Sequence, residues 1–132
     1  MSRVELPDGA WAELASPRKV SERKRRRYIM AMTDFNRSTL TLPRNVATGE
    51  FDPAGFGSEH QGLLDIALDL LVVALVYTWS YEEPVSVEAL EEFPIDVIDA
   101  LRRACNALAP QLMPDMGSPD PDPKAITGAS IP

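Results

Sequence analysis

The chain has 132 residues, of which 45% are hydrophobic, and carries a net charge of −7 with a pI near 4.6. This length is that of a single domain, and the acidic balance argues against a generic binder of nucleic acid or anionic membranes. The chain has one cysteine, Cys105, and one histidine, His60. They exclude an intramolecular disulfide and a zinc site with several Cys and His ligands from one chain.

The charge is distributed unevenly along the chain. Residues 16–44 hold nine Lys or Arg side chains and two acidic ones, whereas the remaining residues hold four basic and eighteen acidic side chains. Opposite charges in separate segments favour self-association or docking onto an oppositely charged protein.

The first predicted element is a β-hairpin within residues 1–15. Residues 3–6 and 10–14 are short extended segments, separated by a Pro-Asp-Gly turn in which proline fixes φ and glycine accepts a positive φ. We expect Trp11 to pack on the same face as Val4. Since an isolated hairpin is marginal in water, this one must pack on helices or on another subunit.

A helix is predicted from Ser16, an N-cap followed by proline in the first helical position, to about Met32. It carries an uninterrupted basic run: Arg23, Lys24, Arg25, Arg26 and Arg27. One interpretation is a solvated helix whose long side chains lie over their neighbours. The other is an electrostatic docking surface for acidic protein or nucleic acid, although nothing indicates sequence-specific recognition of DNA.

Residues 34–57 contain scattered Pro, Gly and Phe, and predict a long loop with a short extended piece at 38–42.

The densest apolar stretch, residues 58–81, predicts a central helix capped by Ser58. Its first half is amphipathic, and its second half, which includes Val72, is apolar on all sides. Asp65 and Asp69 leave too short an uncharged run for a membrane span, so we expect a helix of the protein core.

Two further helices follow, a short one capped by Ser86 and a longer one over residues 95–109 that begins after Pro94. The apolar positions expected to face inward in the longer helix are Ile95, Ile98, Leu101, Cys105 and Leu108. Residues 110–132 are rich in Pro and Asp and predict a disordered or extended tail. The predicted fold is thus mainly α, with a hairpin (1–15), a helical domain of three to four helices (16–109) and this tail.

No motif indicates catalysis, a cofactor or a metal. The close carboxylate pairs, such as Asp65 with Asp69, are expected to be solvated or locally ion-paired, because a two-carboxylate mechanism also needs a pocket and a raised pKa. We expect His60 to be a surface or interface residue, and Cys105 to be a small core residue.

Four segments of the sequence resemble those of a known protein family. They are VELPDGAWAEL (4–14), SPRKVSERKRRR (16–27), TWSYEEPVSVEALEEFPIDVIDAL (78–101) and PDPDPKAITGAS (119–130). In this order they resemble small proteins of the tail-gene region of long-tailed bacteriophages of high-GC actinobacterial hosts, and are most similar to tail assembly chaperones. The basic segment 23–27 is a departure, since it also suits a virion component that touches DNA or an acidic ring.

The resemblance implies a small, largely helical, non-enzymatic protein of the host cytoplasm. Such proteins hold the tape measure protein while tail tube subunits polymerise around it, and they are often absent from the finished particle. It implies no catalytic residue, cofactor or metal. The expected partners are therefore the tape measure and tail tube proteins, together with other copies of the chain. A membrane is not an expected partner, and nucleic acid is an unlikely one.

We expect the partner-binding surface to combine the basic helix with an exposed part of the central helix, because an apolar stripe rimmed by charge can shield a long apolar partner reversibly. The residues expected to form this surface are Arg23, Lys24, Arg26, Arg27, Val72, Val73, Val76 and Trp79. Two alternatives remain open: a structural virion protein, such as a head–tail connector or minor tail subunit, and a small DNA-binding regulator.

Overall fold

The N-terminal hairpin forms as predicted. In the computed structural model, which describes residues 2–40, 42, 47–48 and 57–113, strand β1 (Ser2–Glu5) pairs antiparallel with β2 (Trp11–Leu14). The Leu6 and Ala10 backbones hydrogen-bond across the turn, and Gly9 has φ of 84°, which glycine adopts without steric cost. Trp11 lies opposite Glu5, on the face away from Val4 and Ala12, so its predicted side of the sheet is wrong.

A third strand, β3 (Val76–Trp79), pairs antiparallel with β2 and makes β2 the centre of the sheet. The prediction of a central helix over residues 58–81 is therefore wrong for this segment. The register shifts next to Leu14, because Leu14 lies opposite Val76 whereas Glu13 lies opposite Thr78. The extra residue is Tyr77, which is exposed, and the resulting bulge allows both Val76 and Trp79 to face the core.

Helix α1 (Glu22–Thr39) starts later and ends later than predicted. Pro17–Lys19 form a short 3₁₀ turn, and Ser16 makes no capping hydrogen bond from its side chain. Ser21 is the N-cap instead, since its Oγ accepts a hydrogen bond from the Lys24 N–H at 3.3 Å. The helix continues through Phe35, which is buried.

The predicted loop 34–57 and its extended piece 38–42 are therefore wrong for residues 34–39, which are helical. Much of the rest of that segment lies outside the described residues.

Helix α2 (Ser58–Leu75) occupies the first three quarters of the predicted central helix and packs against α1 and α4. Its N-cap is Gly57, not Ser58, and His60 Nδ1 accepts a hydrogen bond from the Gly57 N–H at 3.1 Å. Across the described residues, no helix is both long enough and apolar enough to cross a bilayer.

Helices α3 (Val87–Glu91) and α4 (Ile95–Asn106) follow the prediction closely, and Ser86 Oγ accepts a hydrogen bond from the Ala89 N–H at 3.1 Å. A second 3₁₀ turn, Ala109–Leu112, buries Leu112 in the core, so the first residues of the predicted tail belong to the folded part. Residues 114–132, the rest of that predicted tail, lie outside the described residues.

One hydrophobic core joins the hairpin, β3 and all four helices of the described part. Its largest fully buried side chains are Leu71, Val72, Leu75, Val97, Leu101 and Cys105. The fold is therefore mainly α with an N-terminal hairpin, as predicted.

Candidate interaction surfaces

The outer face of α1 is a positively charged surface. Arg23, Lys24, Arg26 and Arg27 are all exposed, as the docking hypothesis requires. Spacings of three and four residues bring Arg23, Arg26 and Arg27 onto the same side of the helix as Met30 and Arg37. We call these five residues the α1 basic face. Met30 is an exposed apolar side chain among arginines, and it was not among the predicted surface residues.

Glu22 organises the start of this surface. Its carboxylate accepts hydrogen bonds from Arg25 Nε and an Arg25 terminal nitrogen, at 2.8 and 2.7 Å, and from Arg26 Nε at 2.9 Å. The hydrogen bonds from Arg25 and then Arg26 lower the pKa of Glu22 to about 2. Within the described part of the chain, Arg23, Lys24 and Arg27 have no ion-pair partner. Their charges are therefore available to an incoming anion.

The second predicted surface, on the central helix, is not accessible as expected. Val72, Val76 and Trp79 are only 1%, 2% and 6% exposed, and Val73 is half-buried. For Val76 and Trp79 the physical reason is the sheet: the chain leaves α2 at Leu75 and pairs with β2, which directs these two side chains into the core. Val72 lies within α2, on the side of that helix that belongs to the same core. The prediction that they form an exposed surface is wrong for Val72, Val76 and Trp79.

Trp79 belongs to an aromatic cluster that joins β3 to the start of α4. Its ring lies edge-on to Tyr81 and Phe93, with centroids 5.7 and 5.2 Å away, and its Nε1 donates a hydrogen bond to the Glu83 carbonyl at 2.6 Å. The Tyr81 hydroxyl donates to Asp8 Oδ2 at 2.9 Å, which ties the cluster to the hairpin turn. These contacts give Trp79 a structural role.

A negatively charged surface lies on the α3–α4 side of the molecule. Residues 82–99 contain seven carboxylates and no basic side chain, and all seven are exposed: Glu82, Glu83, Glu88, Glu91, Glu92, Asp96 and Asp99. Ile95, predicted to face inward, is instead exposed among them, because it is the first residue of α4 and the core takes Val97 and Leu101.

An open cleft of about 390 Å³ lies between α2, α3 and α4. Leu90, Phe93, Ile95 and Ile98 supply its apolar lining, and Glu91 and Asp99 contribute carboxylates. At one end, Arg102 donates hydrogen bonds to Asp65 Oδ1 at 3.1 Å and to Asp69 Oδ1 at 2.8 Å, which joins α4 to α2. Asp65 and Asp69 are therefore ion-paired, but the prediction of a solvated or local arrangement is wrong, because their partner comes from another helix.

Cys105 is a core residue, as predicted. Its side chain is fully buried, and this burial raises the pKa of the thiol to about 12. A thiol with such a pKa is a poor nucleophile at neutral pH. Within the described residues, no group of His, Cys, Asp and Glu side chains has the arrangement of a metal site.

Comparisons of the chain with protein-family models, curated proteins and solved structures found no match.

Proposed function

We propose that the protein is a non-enzymatic phage tail assembly chaperone, which binds the tape measure protein in the host cytoplasm and holds it while tail tube subunits assemble. The proposal starts from the resemblance of its sequence phrases to such chaperones. The observation that supports a binding role is the α1 basic face, where exposed arginines surround an exposed methionine. No step of this function requires a catalytic group, a cofactor or a metal.

The α1 basic face replaces the valine surface as the site of capture. A partner helix with an apolar stripe and acidic flanks complements it, because the stripe covers Met30 while its carboxylates pair with Arg23 and Arg27. Such a contact is reversible, since exposed charge pairs are weakened by salt and are individually worth little. Reversibility suits a chaperone that must release its partner when the tube subunits arrive.

Capture is tested by co-expression of the chain with the tape measure protein of the same genome and affinity purification. We expect the Arg23→Glu, Arg27→Glu double variant to lose most of the bound tape measure protein. The matched control is Lys19→Glu, Arg103→Glu, which changes the net charge equally at exposed positions outside α1. Equal retention by both double variants would show that the α1 basic face does not carry the binding.

The place of the protein in the assembly process is tested by immunoblotting of infected-cell lysate and purified particles. A chaperone is abundant in the lysate and absent from particles. A fixed copy number in particles would overturn the proposal in favour of a structural virion protein, such as a head–tail connector or minor tail subunit.

A further inference from the structure

The protein presents two surfaces of opposite charge, each with an exposed apolar side chain among the charges. On the α1 basic face, Met30 is 68% exposed and lies among arginines. On the negatively charged α3–α4 side, we call the four carboxylates of Glu91, Glu92, Asp96 and Asp99 the acidic face. Ile95, which is 79% exposed, lies between them in the sequence. An apolar centre with a charged rim is the usual plan of a protein interface.

We propose that copies of the protein associate head to tail, with the α1 basic face of one copy seated on the acidic face of the next. The two faces are different surfaces of the same chain, so their contact is heterologous and leaves one free face of each kind at the ends. Repetition of such a contact gives a ring if the rotation closes, and an open filament if it does not.

The cleft beside the acidic face has the chemistry to receive an arginine. Its lining of Leu90, Phe93 and Ile98 suits the methylene stem of the side chain, and Glu91 and Asp99 are placed to meet the guanidinium. Asp65 and Asp69 already pair with Arg102, whereas Glu91 and Asp99 have no ion-pair partner within the described residues. We assign the cleft to Arg23 or Arg27 of the neighbouring copy.

A second copy is favoured over other occupants because it satisfies both faces at once. A nucleic acid or an acidic peptide would neutralise only the α1 basic face and would leave the acidic face and Ile95 uncovered. Another copy of this chain supplies a basic partner for every acidic face and an acidic partner for every basic face. The net negative charge of the whole chain does not remove this match, because the α1 basic face is locally positive and the acidic face is locally negative.

This association is inferred independently of the proposed function, but the two contacts compete for the same surface. Because both contacts use the α1 basic face, a copy seated on its neighbour cannot hold a tape measure helix on the same residues. Binding of the tape measure protein would then dissociate the assembly, and the assembly would shield the α1 basic face until the partner is made.

The test uses two charge-reversed variants of the full chain, studied alone and as an equimolar mixture by sedimentation velocity. The basic-reversed variant is Arg23→Glu, Arg27→Glu, and the acidic-reversed variant is Glu91→Lys, Asp99→Lys. We expect the wild type to form higher oligomers as concentration rises at low salt, and to dissociate as salt is added. Each variant alone should associate at least about tenfold more weakly, because the reversed face has no net charge and its two reversed side chains meet groups of like sign on the neighbouring copy.

Mixing the two variants restores complementarity at both kinds of contact, so we expect oligomers in which the variants alternate. The control for net charge is Glu5→Lys, Glu59→Lys, which reverses two exposed carboxylates outside the acidic face and should associate at least as well as the wild type. Circular dichroism of each variant checks that it is folded. A wild type that stays monomeric at low salt, or a mixture that stays monomeric, would overturn the proposal.

The same variants separate this inference from the proposed function. The acidic-reversed variant keeps its α1 basic face, so it should be monomeric and still capture the tape measure protein. Loss of association with intact capture supports both proposals. Normal association of the acidic-reversed variant contradicts the head-to-tail contact, whatever the result for capture.

Discussion

Arg102 is a charged side chain that links two helices of the fold. Its side chain is 22% exposed and bridges Asp65 on one side and Asp69, only 15% exposed, on the other. Its Nε is buried and has no hydrogen-bond partner within the described residues. The guanidinium therefore offsets two carboxylates that lie one helical turn apart on α2 and would otherwise repel each other.

We expect Arg102→Ala to lower the free energy of unfolding by about 1–3 kcal/mol, because it leaves the Asp69 carboxylate largely buried and unpaired. Urea denaturation at neutral pH measures the change. Arg103→Ala is the matched control, since the neighbouring arginine is exposed and should matter by about 0.5 kcal/mol or less. Adding Asp69→Asn to Arg102→Ala should recover part of the loss. Equal effects of the two arginine substitutions would contradict the bridging role.

Cys105 couples the stability of the protein to alkaline pH. Burial raises the pKa of its thiol from 9.0 to about 12, so between these values the unfolded chain loses this proton while the folded chain keeps it. The contribution is fully present below about pH 9 and is lost as the pH rises towards 12. We expect Cys105→Ala to reduce the fall in unfolding free energy between about pH 7 and about pH 10.5, as measured by urea denaturation at each pH.

The same thiol reports opening of the core, because it is the only one in the chain. A thiol-specific reagent should label native protein far more slowly than urea-unfolded protein at the same pH. Rapid labelling of the native protein would contradict the burial of Cys105 and, with it, the cause assigned to the raised pKa.

At the scale of whole elements, the parts predicted best were those with a local physical cause. The Pro-Asp-Gly turn, the Ser86 cap and the break at Pro94 act within a few residues, and the structure has all three. The switch from α2 to β3 has no such cause. Residues 72–79 are apolar enough to suit a buried helix or a buried strand, and the choice depends on pairing with β2, more than sixty residues earlier.

The candidate surfaces also divide into features with a local cause, which were predicted, and features that depend on distant parts of the chain, which were not. The exposure of the arginines on α1 follows from the cost of burying charge, which is a property of the residue type. The burial of Val76 and Trp79 follows from β3, a strand that was not predicted, whereas Val72 lies on the core side of α2. The link from Arg102 to α2 was likewise unpredicted, because it joins residues distant in the chain.

The α2–β3 junction gives a direct test at this scale, since adjacent residues of β3 face opposite ways. We expect Val76→Asp to lower the free energy of unfolding by more than about 3 kcal/mol, because it buries an unpaired carboxylate. Tyr77→Asp, at the exposed bulge position, should cost about 1 kcal/mol or less. Thermal denaturation of the two variants distinguishes them. Well-folded Val76→Asp protein that had lost only partner capture would restore the valine surface as a binding site.

At the scale of the molecule, the sheet and the helices share one core, and this makes a prediction about unfolding. Leu14 of β2 and Tyr28 of α1 belong to the same buried cluster as Leu71, Leu101 and Leu112. Neither the hairpin nor a single helix buries enough apolar surface to be stable without the others. We therefore expect the described part of the chain to unfold as one cooperative unit.

Two spectroscopic probes test this, because they report different elements. Tryptophan fluorescence reports the sheet, where both Trp11 and Trp79 lie, whereas far-UV circular dichroism is dominated by the helices. The two urea curves should have the same midpoint and slope.

Leu14→Ala, which leaves a cavity at a buried position in the central strand, tests the same point. We expect it to move both curves to lower urea by the same amount, because it lowers the free energy of unfolding by about 2–4 kcal/mol. A variant in which the fluorescence transition moved to lower urea while the helical signal stayed in place would show that the sheet unfolds separately, and that the helices hold together without it.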